Sequence, residues 1–235
     1  MTDDDAAGVP AVPAATVVLL RDAPGGIETL MLRRDADLAF AGGAWVFPGG
    51  RIDADDFPGG IRSDEPETLL VAARNAAARE SMEEAGLRVD PDSLVWFAHW
   101  TPPAIGHNQR RFATWFFATR APVGAVVVDD GEIRDHVWIR PADALRRRDD
   151  GEILIIPPTW MTLHTLADAA SIDELLSELA AGDPAVYVTR IGRAGGVGVS
   201  MWAGDAGYED GDAERPGHRH RLVMDDKGWR LERDV

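Results

Sequence analysis

Apolar residues fall in short, dense runs separated by breaks rich in Gly, Pro and Asp, and each run predicts an element. Thr16-Val17-Val18-Leu19-Leu20 is continuous and rich in β-branched residues, the pattern of a buried strand. Ala23-Pro24-Gly25-Gly26 is a turn, and Glu28 to Arg33 returns as a second strand. A loop from Asp35 to Gly43 leads to a short strand at Trp45-Val46-Phe47, and Asp53 to Ser63 reads as another loop. A helix is expected from Pro66 to Ala85. Pro66 suits the first turn, where its missing N–H costs nothing, and Gly86 suits the left-handed position just past the end. Leu69, Ala73, Ala76 and Ala77 are assigned to its buried face. Ser93 to Trp100 and Arg110 to Thr119 read as an antiparallel pair across the loop Thr101 to Gln109. Val126-Val127-Val128 leads on to a strand at Val137-Trp138-Ile139 and a short helix from Pro141 to Arg148.

The last eighty or so residues carry weaker patterns. A helix is expected from Pro157 to Ala169, with Leu163 and Leu166 on one face. Ser171-Ile172-Asp173-Glu174 has the form of a capping box opening a second helix to Ala180. Tyr187 to Ile191, Val197 to Trp202, His220 to Met224 and Trp229 to Leu231 read as strands. No internal repeat and no clear linker is present. The expected organisation is a loose tail over residues 1–14, a domain over 15–150, and an α+β extension over 151–235 packed on it.

The end of the Pro66–Ala85 helix breaks local rules. Glu80, Glu83 and Glu84 share one side of it, where like charges cost roughly 0.2–0.5 kcal/mol per pair. They also sit at the negative end of the helix dipole. A divalent cation would compensate, since clustered carboxylate oxygens suit Mg²⁺ or Mn²⁺. A solvated acidic helix end is the plainer alternative.

The preceding turn, Trp45-Val46-Phe47-Pro48-Gly49-Gly50, alters that balance. Together with Arg79-Glu80-Ser81-Met82-Glu83-Glu84-Ala85-Gly86-Leu87 it resembles the Nudix box, G-x5-E-x7-R-E-U-x-E-E-x-G-U with U bulky and apolar. Gly50 matches the first glycine and Asp56 the first acid. Ser81 departs from the apolar position, and some fifteen extra residues around Phe57 to Val71 separate Asp56 from Arg79. The resemblance covers about a fifth of the chain. It implies a Nudix-type α/β/α sandwich with a mixed sheet, and hydrolysis of a diphosphate bond in a nucleoside diphosphate linked to another group. It further implies Glu80, Glu83 and Glu84 as metal ligands for Mg²⁺ or Mn²⁺, helped by a carbonyl near Gly50. Arg79 is expected to orient Asp56 or a glutamate. Glu132 is a candidate fourth acid, or else a loop glutamate. A Nudix-fold nucleotide sensor without hydrolysis is the alternative, although such a domain would be expected to lose box carboxylates.

Gly43 to Gly50 looks like G-x3-F-P-G-G, the end of a signature found in coenzyme A diphosphatases, which makes Phe47 a substrate-binding candidate. Leu30, Met31 and Arg34 fit its earlier part, whereas Leu32 and Ala39 replace polar residues there. Gln109-Arg110-Arg111-Phe112 resembles the matching stretch of the mammalian peroxisomal type. Arg34, Gln109, Arg110 and Arg111 are thus further candidates, arginine being suited to grip phosphate. Coenzyme A or an acyl derivative leads over nucleoside diphosphate sugars and dinucleotides.

Composition narrows the partners. A hydrophobic content of 45% and a charged content of 27% belong to an ordinary globular chain. The net charge of −16 argues against a nucleic-acid polymer, because phosphate backbones need a basic face. A small diphosphate remains compatible, since bound metal reverses the local sign. No window is long and apolar enough for a membrane span, and the acidic start lacks a signal-peptide pattern, so a cytoplasmic location is expected. Zero cysteines exclude disulfides and a cysteine nucleophile. The six histidines form no H-E-x-x-H, and no G-x-S-x-G elbow or phosphate-binding G-x-x-x-x-G-K-[ST] loop occurs. Homodimerisation is left open.

Overall fold

The computed structural model describes residues 11–38, 41–103, 111–128 and 131–234. These fall into two compact units, one drawn from residues 13–98 and 114–185, the other from residues 99–113 and 186–235 with the first twelve.

In the larger unit, β1 (Val12–Ala23) and β2 (Gly26–Arg34) form the expected hairpin, with Leu20 opposite Thr29. Then come β3 (Trp45–Val46), β4 (Gly49–Arg51), α1 (Pro66–Ala85), β5 (Val95–Thr101), β6 (Phe112–Arg120) and β7 (Ile133–Ile139). The strand order is β3-β2-β1-β6-β5, with β4 also on β1 and β7 also on β2. The helices α2 (Pro141–Asp149), α3 (Pro157–Leu166) and α4 (Ile172–Ala181) follow. Both faces of β1 are buried, which explains its unbroken apolar run. Val17 and Leu19 join Leu30, Leu32 and Phe117 in the core beneath α1. Val18 and Leu20, equally buried, alternate onto the opposite face. The architecture is the expected α/β sandwich.

The helix α1 has the bounds read from the sequence. Glu65 caps it, accepting from the N–H groups of Glu67 and Thr68. Ala72, Ala73, Ala76 and Ala77 have no exposed surface, so the helix backbone lies close to the sheet. Gly86 closes it with φ +67°. Its N–H donates to the Met82 carbonyl, the bond of an αL cap, and the Leu87 N–H donates to the Ser81 carbonyl. Ser81 is fully buried, and its hydroxyl donates to the Leu87 carbonyl at 2.7 Å. A satisfied hydroxyl therefore replaces the bulky apolar side chain at that position.

Several sequence boundaries shift. Val12 to Ala14, read as tail, already belong to β1, because Ala14 pairs with Arg51 and the Pro13 carbonyl accepts from Ile52. The loop before α1 holds 3₁₀ turns at Ala54–Asp56 and Pro58–Gly60, with Phe57 buried between them in the α1 core. The extra residues also lengthen α1 itself, since Pro66 to Val71 lie inside the helix. Before β7, the Val127 N–H donates to the Ala85 carbonyl at the end of α1.

The smaller unit contains β8 (Ala185–Val188), β9 (Arg190–Ala194), β10 (Val197–Met201), β11 (His220–Asp225) and β12 (Gly228–Arg233). An antiparallel sheet runs β12-β11-β10-β9. The single strand expected at Tyr187–Ile191 is split at Thr189, whose N–H bonds the Thr101 carbonyl and whose hydroxyl accepts from the Trp202 indole. Tyr187 stacks on Trp100 at 4.1 Å, and Trp202 meets Trp100 edge-on. No described helix is long and apolar enough to cross a membrane.

Candidate active site

Two glycines and one helix end build the site. A Cβ on Gly49 would stand 2.4 Å from Thr16 Oγ1, and one on Gly50 would stand 2.2 Å from Glu80 Oε1. Glycine is needed at the first position so that β4 can lie on β1, and at the second so that a carboxylate of α1 can reach the turn. The turn answers through its backbone, with the Gly49 N–H donating to Glu84 Oε2 at 2.9 Å.

Arg79 organises the acids. Its Nε and Nη2 bind Asp56 side-on, both at 3.0 Å, and Nη2 also reaches the Arg51 carbonyl. Its Nη1 donates to Glu80 and Glu83, each at 2.8 Å. All five N–H groups are engaged, so Arg79 positions its neighbours and has none left for a substrate. Asp56 is itself fixed, accepting from the Asp53 N–H, while Asn75 donates to its carbonyl. Asn75 lies four residues before Arg79 on the same helical face, a spacing through which sequence reasoning would have found it.

Glu84 is 7% exposed. Burial pushes its carboxyl up, the Gly49 N–H offsets this in part, Glu80 and Glu132 add to it and Arg34 opposes it, leaving the group at about 8. Burial likewise raises Glu80 against the pull of Arg79. Hydrogen bonding to Asp56 raises Arg79 above its ordinary value. Glu83 is more than half exposed, with one oxygen on Arg79.

Arg34 and Glu132 belong to the same neighbourhood. A bulge where β2 meets β7 places Arg34 so that its Nη2 lies 3.1 Å from Glu132 Oε2. The Arg34 Nε is buried and has no hydrogen-bond partner among the described residues. Phe47 is a buried core residue. Arg111 lies in the smaller unit, where its Nη1 donates to the Pro102 carbonyl. Gln109 and Arg110 lie outside the described residues.

Among the described residues no three Asp, Glu or His side chains form a ready-made metal cage. Mg²⁺ is commonly held by one or two carboxylates together with substrate phosphates and water. Glu80 and Glu84 fit that donor set, because two hard carboxylates lie close together with their ionised forms disfavoured in the metal-free protein.

Comparison with known proteins settles the family. The NUDIX domain family matches residues 10–157, which contain the glycine turn, α1 and Glu132. The chain belongs to the Nudix family. It is a Nudix-type diphosphatase. It is 25% identical over 264 aligned residues to the acyl-coenzyme A diphosphatase NUDT19 of Gallus gallus, covering 69% of each chain. The same protein of Xenopus laevis is 24% identical, over 63% of this chain and 62% of its own length. The crystal structure of a NUDIX hydrolase from Alicyclobacillus acidocaldarius shares the Nudix fold, with a TM-score of 0.62 over 74% of this chain and 99% of that one at 22% identity.

Proposed function

We propose that this Nudix enzyme hydrolyses the diphosphate of a nucleoside diphosphate linked to another group, with Mg²⁺ or Mn²⁺, and that coenzyme A or an acyl derivative is its substrate. The observation that carries the reading is the Glu80–Glu84 pair facing the Gly49–Gly50 turn, with Glu80 held by an arginine that has no donor to spare and Glu84 by the Gly49 N–H. Glu80 and Glu84 would hold the cation, with Glu83 at the exposed margin and a carbonyl of the glycine turn beside them. When bound, it would supply neutralisation of diphosphate charge and a lowered pKa for water. Arg79 and Asp56 keep the carboxylates aimed, so that little reorganisation is needed during reaction. Arg34 offers to a phosphate oxygen its Nε–H, which has no partner among the described residues, and Glu132 is aligned by Arg34. Water attacks one phosphorus, the bridging P–O bond breaks, and a nearby carboxylate takes the proton. Two phosphate monoesters leave.

The coenzyme A assignment is supported by the likeness to acyl-coenzyme A diphosphatases and by the Gly43–Gly50 pattern. A net charge of −16 disfavours a nucleic-acid polymer, and a cysteine-free chain suits the cytoplasm. The test is product release from coenzyme A, acyl-coenzyme A, ADP-ribose, NADH and diadenosine polyphosphates, with and without metal, followed by mass spectrometry. Metal-dependent cleavage, fastest with coenzyme A compounds, is expected. Binding without cleavage across the panel would replace the reading with that of a nucleotide sensor.

A further inference from the structure

In the smaller unit, one face of the β9–β12 sheet carries a cavity of about 340 Å³. Strand alternation sets its lining: Ala194 and Val197 from β9 and β10, Arg221 and Val223 from β11, Arg230 and Glu232 from β12. Arg219, Ala213 and Glu214 complete it. The centre of this wall is Arg221, whose side chain is 3% exposed. Its Nε and Nη2 donate to Asp205 at 2.6 and 2.5 Å, and its Nη1 to the Ala213 carbonyl at 2.6 Å. One N–H on Nη1 and one on Nη2 therefore have no partner among the described residues. Asp205 has no capacity for them, because the N–H groups of Gly207 and His220 complete its set of four donors. A buried donor left unmade is costly, so an acceptor is called for.

The rest of the lining points the same way. Among the described residues Arg230 uses only its Nε, on Glu232, and Arg219 only one Nη1 N–H, on the Arg215 carbonyl. Glu214 accepts from the Gly195 N–H. The surplus of the wall is thus in donors, while Ala194, Val197 and Val223 supply a small apolar surface. We propose that this cavity is a second ligand site, taking a small organic oxyanion with a short apolar part, a carboxylate or a phosphate monoester. Arg221 and Arg230 grip the oxygens, as planar guanidinium groups do. Glu232, directly opposite Arg221 on β12, and Glu214 exclude larger polyanions by repulsion.

Calorimetric titration of the full chain with inorganic phosphate and with butyrate tests this, each arm separating one source of the oxyanion. At least one is expected to saturate a single site, with equal affinity in Glu84→Gln. The double variant Arg219→Gln/Arg230→Gln should bind at least about tenfold more weakly, with diphosphatase turnover unchanged. Arg230→Gln alone, at an exposed side chain, serves if the pair fails to fold. Saturation by neither anion, undiminished affinity in these variants, or loss of binding in Glu84→Gln would each overturn the proposal.

Discussion

Two arginines in this protein each clasp an aspartate side-on, and the acids around them differ in the donors they receive. In the smaller unit Asp205 receives four donors. Burial pushes its carboxyl up, but the hydrogen bonds from Arg221 and from the His220 and Gly207 N–H groups win, leaving it at about 2. At the end of α1 the donors are spread over too many acids. Arg79 divides its N–H groups among Asp56, Glu80, Glu83 and the Arg51 carbonyl, and Glu84 receives a single backbone N–H. Its carboxyl rises to about 8. Both carboxyls have little exposed surface, but Glu84 is the more deeply buried as well as the poorer in donors, and the two causes together give opposite signs. Acids matched by donors hold a fold together, whereas acids left short of donors are poised for a cation and a substrate.

The largest effect expected from breaking this contrast is on stability. Asp205→Asn leaves the buried Arg221 charge without its counter-ion and should cost about 3–5 kcal/mol, read by urea unfolding followed through tryptophan fluorescence. A loss below about 1 kcal/mol, the scale of an exposed ion pair, would show that the Asp205 centre is not the matched one. Next comes Glu84→Gln, which should lower turnover by at least about two orders of magnitude with the fold intact. In metal-free protein at neutral pH its stability should stay level or rise, because the amide removes the cost of holding a buried carboxyl protonated above its unfolded pKa. Near wild-type kcat at saturating Mg²⁺ would remove Glu84 from the ligand set.

A smaller effect belongs to the packing that delivers the acids to the turn. Ala76→Leu, at a position with no exposed surface, should cost about 1–3 kcal/mol by overpacking. It should lower kcat with it, as α1 is pushed off the sheet. Unchanged thermal stability would contradict the close helix–sheet contact.

The subtlest test is the slope of stability against pH in chelator. Asp205 has a depressed pKa, so its contribution is present above its unfolded value of about 3.9 and is lost as pH falls toward about 2. Glu84 has a raised one, so the native state keeps a proton that the unfolded chain releases. Stability should fall as pH rises from about 4.3 through about 8. Glu84→Gln should flatten the neutral limb only and Asp205→Asn the acid limb only. A neutral limb unchanged by Glu84→Gln would assign that slope elsewhere.

Much of this protein was legible in order along the chain. Helix α1 could be bounded to the residue because Pro66 and Gly86 act through their own backbones, and its buried face followed from alanines at helical spacing. The acid cluster stood out because three glutamates at a helix C-terminus oppose both the dipole and each other. What the chain order could not express was which donors each acid would meet. Arg79 could be matched to Asp56, 23 residues away, only through the resemblance to the box, and Arg34 to Glu132, 98 residues away, through nothing in the sequence. Only the fold brings them together. The loop before α1 looked unstructured by its Gly, Pro and Asp content, yet Phe57 anchors it in the core. Asp205 and Arg221 gave no local sign at all, since a matched ion pair needs two segments and a backbone turn to supply its remaining donors. Local stereochemistry and periodicity act over a few residues and are written in sequence. The balance of charge and hydrogen bonding in a buried site is a sum over distant segments, and only the tertiary structure decides it.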